Sequence, residues 1–280
     1  MPALLGLVRF KHTVFALPFA FAGALMATNA MPPWSTLGWI LLAMVGARSL
    51  AMALNRIIDR RLDAVNPRTA GRHLPSGRLT TGQVWAFAAV SLAAMLGAVS
   101  QLPEITWWLW PVPVALFVVY PYTKRVTWAC HLVLGLSIGI APIGGWLAVT
   151  GAFAVAPVLL WIAVAAWIAG FDVIYGLLDV EHDRQAGIRS IPARFGEPGG
   201  LRIAAGLHVL AIILLALVGI AASVTWPYYV GVAACALILL WEHATVHPGD
   251  EARIQAAFGT ANGVMSLVFL AGVIGEVAVA

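Results

Sequence analysis

The stretch TLGWILLAMVGARSLAMALNRIIDRRLD (residues 36–63) contains the two features that decide the fold of this chain. It is an apolar run of about 20 residues, long enough to cross a bilayer as an α-helix. It ends in two carboxylates, Asp59 and Asp63. Carboxylates are disfavoured there, because a helix C-terminus is its negative pole and a bilayer desolvates charge. Their presence indicates that a cation binds nearby.

A second stretch repeats this design 120 residues further along the chain. The sequence VAPVLLWIAVAAWIAGFDVIYGLLDVEHD (155–183) is again a long apolar run, and it ends in Asp179 and Asp183. Asn55 precedes the first pair at the spacing at which Tyr175 precedes the second. Repeats of this parallel kind tend to form a site at their interface.

The composition is that of a polytopic membrane protein. Of 280 residues, 61% are hydrophobic and 10% are charged, and the mean hydropathy is +0.91. A soluble domain is nearer 45–50% apolar and about 25% charged. We therefore predict an all-α bundle of nine transmembrane helices in a single domain (1–280). The predicted spans are 12–30, 36–60, 80–101, 105–121, 128–150, 155–180, 200–222, 225–243 and 254–278.

The basic residues predict the orientation of these spans. With the N-terminus inside and an uncleaved first span after Arg9 and Lys11, the outer loops receive no Lys or Arg. By the positive-inside rule, the N-terminus and the loops with the aspartates are cytoplasmic. Because the basic residues follow membrane topology, nucleic acid is not an expected partner. The residues assigned to the inner face are Arg60, Arg61, Arg68, Arg72, Arg78, Lys124, Arg125, Arg184, Arg189, Arg194, Arg202 and Arg253.

The polar residues near the two helix ends predict a metal site. Positions four apart share one helix face, so each stretch presents a ladder of polar side chains. The ladders are Asn55, Asp59 and Asp63, and Tyr175, Asp179 and Asp183. Such oxygen ligands suit Mg²⁺, which prefers one or two carboxylates with water and substrate phosphates. The cations Arg68, Arg72, Lys124 and Arg125 lie on the same face, which favours a metal-bound diphosphate.

Three stretches resemble the UbiA family of membrane prenyltransferases. They are NRIIDRRLDAVNPRTAGRHLPSGRLT (55–80), YPYTKR (120–125) and DVIYGLLDVEHDRQAGIRSIPARFG (172–196), and the nine-span layout is similar as well. Many members read Asn-Asp where this chain reads Asn55-Arg56. That departure resembles a 4-hydroxybenzoate polyprenyltransferase-like subgroup, which includes enzymes of the futalosine route to menaquinone.

The resemblance implies roles for individual residues. Asn55, Asp59, Asp63, Asp172, Asp179 and Asp183 would bind two Mg²⁺ ions that bridge the diphosphate of a polyprenyl donor. Lys124 and Arg125 would neutralise the departing diphosphate, assisted by Arg68 and Arg72. Tyr120 and Tyr175 are expected in the substrate-binding wall. Arg48 is the candidate for an acceptor carboxylate, and Asp172 or Tyr175 could instead activate a phenol.

The sequence is compatible with more than one function. The leading hypothesis is Mg²⁺-dependent transfer of a polyprenyl group to a small aromatic acid, in ubiquinone-type quinone synthesis at the bacterial inner membrane. The acceptor is 4-hydroxybenzoate-like or, alternatively, 1,4-dihydroxy-6-naphthoate. A membrane transporter is the non-enzyme alternative. Arg48 and Asp172 could also form a purely structural ion pair. Membrane lipid is the expected environment, and no obligate protein partner is expected.

Overall fold

A computed structural model of the chain describes residues 15–280, and all regular secondary structure within that range is helical. The α-helices are α1 (Leu17–Met26), α2 (Trp34–Ile58), α3 (Arg60–Val65), α4 (Thr81–Val99), α5 (Glu104–Leu109), α6 (Pro111–Val126), α7 (Cys130–Gly139), α8 (Ala141–Thr150), α9 (Val155–Gly176), α10 (Val180–Gln185), α11 (Ile191–Ala221), α12 (Trp226–Thr245), α13 (Glu251–Ala256) and α14 (Asn262–Val279). A 3₁₀ turn (Leu177–Asp179) follows α9, and a π-helical turn (Ala257–Ala261) precedes α14.

The predicted all-α membrane bundle is confirmed. Eight helical segments within the described range are long and apolar enough to cross a membrane, and α1 is a shorter apolar helix. Together they correspond to the nine predicted spans. The first residues of the predicted first span, 12–14, lie outside the described residues, as do Arg9 and Lys11.

Proline divides two of the spans. The fourth consists of α5 and α6, and α6 begins at Pro111. The fifth consists of α7 and α8, and Pro142 lies in the first turn of α8. Proline has no N–H and is tolerated in a first helical turn, so a new helix starts at each of these positions.

Helix α11 is interrupted at Gly196, whose φ of 74° and ψ of 169° are not helical. The predicted seventh span, 200–222, corresponds to the long helical segment after this break, and a short helical segment that starts at Ile191 precedes it. Ser190 precedes this helix, and its hydroxyl accepts a hydrogen bond from the backbone N–H of Ala193 (3.3 Å). Pro192 occupies the first turn. A serine N-cap followed by proline is a strong start signal, so a short helical segment forms ahead of the break at Gly196, where hydropathy alone predicts no span.

Helix α9 lies at the centre of the bundle. It packs mainly against α11 and α7, while α2 packs mainly against α4. Trp167, Ile168 and Ile174 of α9 are almost completely buried. Residues 163–171 of α9 are all buried, and a segment buried on every side must be apolar all round, so this part of α9 has no charged residue. The acidic ends of α2 and α9 are thereby held in fixed positions.

Glycine allows α1 and α8 to pack in backbone contact. A Cβ atom at Gly145 would lie 1.9 Å from the backbone oxygen of Ala20. A Cβ atom at Gly23 would lie 2.1 Å from the backbone oxygen of Pro142. Small residues at both crossing points let helices approach closely, which is a main source of helix association in membranes.

We expect Gly145→Ala to destabilise the bundle, because the added methyl must push α1 away from α8. The expected loss is about 1–3 kcal/mol, the usual cost of overpacking. Gly144→Ala is the matched control, since a Cβ at that position meets no atom of the described structure within 4 Å. Thermal unfolding in detergent measures both. Equal stability of the two variants would contradict the close α1–α8 packing.

Candidate active site

The two acidic stretches share a break in the helix at their first aspartate. Asp59 has φ −90° and ψ 4°, and it separates α2 from α3. Asp179 has φ −116° and ψ 5°, and it separates α9 and its 3₁₀ turn from α10. The sequence predicted continuous ladders instead. The internal repeat thus extends to backbone conformation.

These breaks change the electrostatic interpretation of the second aspartate in each pair. Asp63 lies in the first turn of α3, and Asp183 lies in the first turn of α10. A helix N-terminus favours negative charge. Asp63 and Asp183 are therefore at the favourable end of a short helix, not at the unfavourable end of a long one.

One cavity of about 290 Å³ collects almost all of the predicted site residues. Its wall includes Arg48, Asn55, Asp59, Asp63, Arg68, Arg72, Tyr120, Lys124, Asp172, Tyr175, Asp179 and Asp183. Arg125 is outside this wall but contacts Asp59. We call this space the aspartate cavity.

Asp59 is held by two cations and an amide. Lys124 Nζ donates to Oδ2 at 2.5 Å, and Arg125 Nη2 donates to Oδ1 at 3.2 Å. Asn55 Nδ2 donates to the same Oδ2 at 3.0 Å and to the hydroxyl of Tyr120 at 2.8 Å. Only 2% of Asp59 is exposed.

Asp179 is held by a bidentate arginine. Arg68 Nε donates to Oδ1 at 2.9 Å, and Arg68 Nη2 donates to Oδ2. Arg68 Nη1 also donates to the hydroxyl of Tyr175 at 2.8 Å, and Asn66 Nδ2 donates to Asp179 Oδ1 at 3.0 Å. Burial alone would lower the pKa of Arg68, but its bonds to Asp179 raise it above the ordinary value. The Arg68 guanidinium therefore stays charged.

Asp63 and Asp183 complete the acidic wall, and each is buried. Arg72 Nη1 donates to Asp63 Oδ1 at 2.6 Å. The other oxygen of Asp63 lies 3.7 Å from Arg56 Nη1 and accepts no hydrogen bond from the described residues. Ser190 Oγ donates to Asp183 Oδ2 at 2.8 Å.

Asp172 pairs with His131 and not with Arg48. His131 Nδ1 lies 2.7 Å from Asp172 Oδ2, so the possible structural pair of Arg48 with Asp172 is replaced by a pair with His131. The Nε atom of Arg48 is buried, with no hydrogen-bond partner in the described part of the chain. Arg48 is thus available to a ligand.

The donor set fits a hard cation. Carboxylate and amide oxygens line both sides of the aspartate cavity, and one buried oxygen of Asp63 accepts no hydrogen bond within residues 15–280. No three His, Cys, Asp or Glu side chains of the described residues converge tightly enough to hold a metal by themselves. That arrangement suits Mg²⁺, which takes a few protein carboxylates and completes its shell with water and substrate phosphate.

A second cavity of about 340 Å³ lies deeper between the helices and is mainly apolar. Its wall includes Met44, Phe117, Trp161, Trp110 and Phe153. Arg48 and Ile138 belong to the walls of both cavities, so they mark the junction. We call this second space the apolar cavity.

Three contributors to the site were missed from the sequence. His131, Asn66 and Ser190 were not singled out from the sequence. Asn66 does follow Asp63 directly after α3, which places an amide within reach of the opposite ladder. No comparable signal marks His131, because its partner Asp172 is 41 residues away.

The fold and the site together define the class of protein. It is an integral membrane protein of apolar helices, with carboxylates and cations around one cavity at the helix ends. A sequence model of the UbiA prenyltransferase family matches residues 16–271. The chain belongs to the UbiA prenyltransferase family, and it is a membrane prenyltransferase. The transporter alternative is therefore set aside.

Named relatives and solved structures agree with this assignment. The 4-hydroxybenzoate octaprenyltransferase of Alcanivorax borkumensis is 32% identical over 222 residues, covering 79% of this chain and 76% of that protein. The 4-hydroxybenzoate solanesyltransferase of Synechocystis sp. is 29% identical over 250 residues, covering 89% and 85%. The apo structure of a UbiA homolog from Aeropyrum pernix K1 superposes with a TM-score of 0.86 at 32% identity, covering 96% and 98%.

A more distant structure shares the fold. A UbiA homolog from Archaeoglobus fulgidus, solved bound to GPP and Mg²⁺, superposes with a TM-score of 0.76 at 18% identity and covers 99% of each chain. The same homolog has been solved bound to Cd²⁺. Divalent metal is thus a recurrent ligand among structural neighbours of this chain.

We expect Lys124→Met to destabilise the protein by about 1–3 kcal/mol, because it leaves the buried Asp59 carboxylate short of a donor. Adding Asp59→Asn to this variant should restore part of the loss, since the charge that needs compensation is gone. Thermal unfolding in detergent is the measurement. Arg253→Met is the control: it removes an exposed ion pair with Asp250 and should cost less than about 0.5 kcal/mol. Equal losses would contradict the buried pairing.

Proposed function

We propose that this chain transfers a polyprenyl group from a polyprenyl diphosphate to a hydroxylated aromatic acid, with 4-hydroxybenzoate as the leading acceptor. The observation that carries the proposal is the pairing of two acidic stretches with four cations around one cavity. The names of the relatives from Alcanivorax borkumensis and Synechocystis sp. support the choice of acceptor and the role in quinone synthesis.

The carboxylates of the aspartate cavity are the proposed metal ligands. Asp59 and Asp63 from one repeat, and Asp179 and Asp183 from the other, would hold Mg²⁺ with the amide of Asn55. Mg²⁺ held by these residues would supply positive charge that stabilises the diphosphate as it leaves. The relative bound to GPP and Mg²⁺ supports this choice of metal. Asp172, paired with His131, is better placed for the acceptor than for the metal.

In this proposal the basic side chains bind the diphosphate and stabilise its negative charge. Lys124, Arg125, Arg68 and Arg72 each already contact an aspartate, so they lie where phosphate oxygens would approach a carboxylate-bound metal. When the C–O bond to the prenyl group breaks, its electron pair stays on the diphosphate. Arg68 suits this charge because a guanidinium binds two oxygens at once.

The hydrocarbon tail of the donor would occupy the apolar cavity. This cavity begins at Arg48 and Ile138, next to the aspartate cavity, and is lined almost entirely by carbon. Burying a prenyl chain there is favourable by roughly 0.8 kcal/mol for each CH₂ equivalent. A donor with its diphosphate at the aspartates would thus have its reactive carbon near the junction of the two cavities.

The acceptor would enter at the same junction. A carboxylate on the aromatic ring can pair with Arg48, whose Nε atom has no partner among the described residues. The electron-rich ring carbon then attacks the allylic carbon as the diphosphate leaves, and the ring loses its proton to solvent. In the cell, we place the aspartate cavity at the cytoplasmic face of a bacterial inner membrane, in keeping with the distribution of basic residues.

Asp59→Asn and Asp179→Asn should each lower the rate of product formation by on the order of 100-fold or more, because each removes a carboxylate that holds the metal. The assay combines purified protein, labelled polyprenyl diphosphate, and either 4-hydroxybenzoate or 1,4-dihydroxy-6-naphthoate. EDTA should stop turnover and Mg²⁺ should restore it. Asp250→Asn, a surface aspartate outside the cavity, is the control.

Two results would overturn this proposal. Turnover that persists in EDTA would exclude the metal-dependent reaction. Near-normal turnover in both aspartate variants, with the fold intact by thermal unfolding, would exclude these ligands. Product formed only with the naphthoate would keep the chemistry and change the acceptor.

Arg48→Met should raise the acceptor KM about tenfold or more while the donor KM stays within twofold, because a charge-assisted bond to the acceptor is lost and the apolar stem is kept. The same prenyl-transfer assay provides both constants. Arg202→Met is the matched control, since the Arg202 side chain is exposed and, among the described residues, donates to the backbone oxygen of Pro198. A rise in donor KM alone would assign Arg48 to the tail or diphosphate instead.

A further inference from the structure

His131 is a buried polar residue in the wall of the aspartate cavity with no role so far. It lies in the first turn of α7, and only 6% of it is exposed. Its Nδ1 atom donates to Oδ2 of Asp172 at 2.7 Å. This bond fixes the plane of the ring, so the opposite edge of the imidazole has a defined direction.

The opposite edge of the ring has an unused hydrogen-bonding atom. Nε2 of His131 is buried and has no hydrogen-bond partner within the described range. Buried polar atoms in native proteins are nearly always paired, so an exception within a substrate cavity points to a ligand. Nε2 can bond in either protonation state, as a donor when it carries a proton and as an acceptor when it does not.

Gly176 packs beside this edge of the ring. A Cβ atom at Gly176 would lie 3.2 Å from Cε1 of His131 and 3.7 Å from Nε2. Gly176 also belongs to the wall of the aspartate cavity. The chain therefore has no side chain at the position that would cover the imidazole.

The position of His131 along α7 would allow it to contact one end of a small aromatic acid. Ile138 and Arg48 both lie at the junction of the two cavities. His131 precedes Ile138 by two helical turns, which is roughly 10 Å along α7. Arg48 and His131 both belong to the wall of the aspartate cavity. A single ring with a carboxylate on one side and a hydroxyl on the other can therefore contact both residues.

We propose that His131 is the binding residue for the acceptor hydroxyl, so that His131 and Arg48 together select a hydroxylated aromatic acid. This assignment rests on the proposed function. The hydrogen bond between Nε2 and the hydroxyl oxygen orients the ring, which places a carbon next to the hydroxyl towards the allylic carbon of the donor. Asp172 and Gly176 position the imidazole for this contact.

A purely structural role makes a different prediction. If His131 serves only to neutralise Asp172, a substitution that keeps the bond to Asp172 should leave acceptor binding unchanged. His131→Asn is such a substitution, because its amide nitrogen replaces Nδ1 while Nε2 is lost. His131→Gln does the converse and extends an amide towards the position of Nε2.

The experiment compares two acids, 4-hydroxybenzoate and benzoate, by calorimetric titration of the full-length protein in detergent with Mg²⁺ and inorganic diphosphate present. The wild type should bind 4-hydroxybenzoate about fivefold to tenfold more tightly than benzoate, as expected for one hydrogen bond. His131→Asn should abolish this preference without weakening the binding of benzoate. His131→Gln should retain part of it. His247→Asn, at an exposed histidine, is the matched control and should retain all of it.

The outcomes separate the two proposals. If the wild type transfers prenyl groups and prefers the hydroxylated acid, but His131→Asn keeps the preference, His131 has no part in acceptor recognition. If the wild type transfers to neither candidate acid in the assay above, the proposed function itself fails. Should His131→Asn not fold, Gly176→Ala replaces it. The added methyl covers the ring edge and should reduce the preference, and an undiminished preference there would also overturn the inference.

Discussion

The compensation of buried carboxylates by cations from distant segments is the interaction on which the rest of this structure depends. Asp59 is joined to Lys124 and Arg125, and Asp179 is joined to Arg68. A single buried carboxylate without such partners would cost several kcal/mol. These pairs tie together the two halves of the repeat and the end of α6, and they hold at one place the donors and acceptors that a metal-bound diphosphate requires.

The helix breaks at the two aspartates make that compensation possible. Asp59 and Asp179 both have φ near −100° and ψ near 0°. At each of them the chain changes direction, and a short helix follows. The second aspartate of each pair then lies at a helix N-terminus, where its charge is favoured. Two copies of this turn face each other across the aspartate cavity. Both halves of the repeat therefore supply carboxylates to one cavity.

The meeting of a polar and an apolar cavity explains how one site can handle two unlike substrates. The aspartate cavity suits charge, and the apolar cavity suits a hydrocarbon chain. Arg48 lies at their junction, and the His131–Asp172 pair lies in the polar wall. Prenyl transfer requires both reactants to be held in the correct orientation, and the proposed function assigns one of these adjoining cavities to each end of the donor.

The sequence by itself determined the membrane class, the spans, the repeat, and the face on which aspartates and cations lie, because hydropathy, helical periodicity and charge distribution are local properties. It also predicted most of the charged residues in the wall of the aspartate cavity. Only the tertiary structure decided which cation holds which carboxylate, that Asp172 pairs with His131, and that the ladders break at Asp59 and Asp179. Those outcomes depend on how helices far apart in sequence rotate and pack against one another, and periodicity within one helix carries no information about its neighbour.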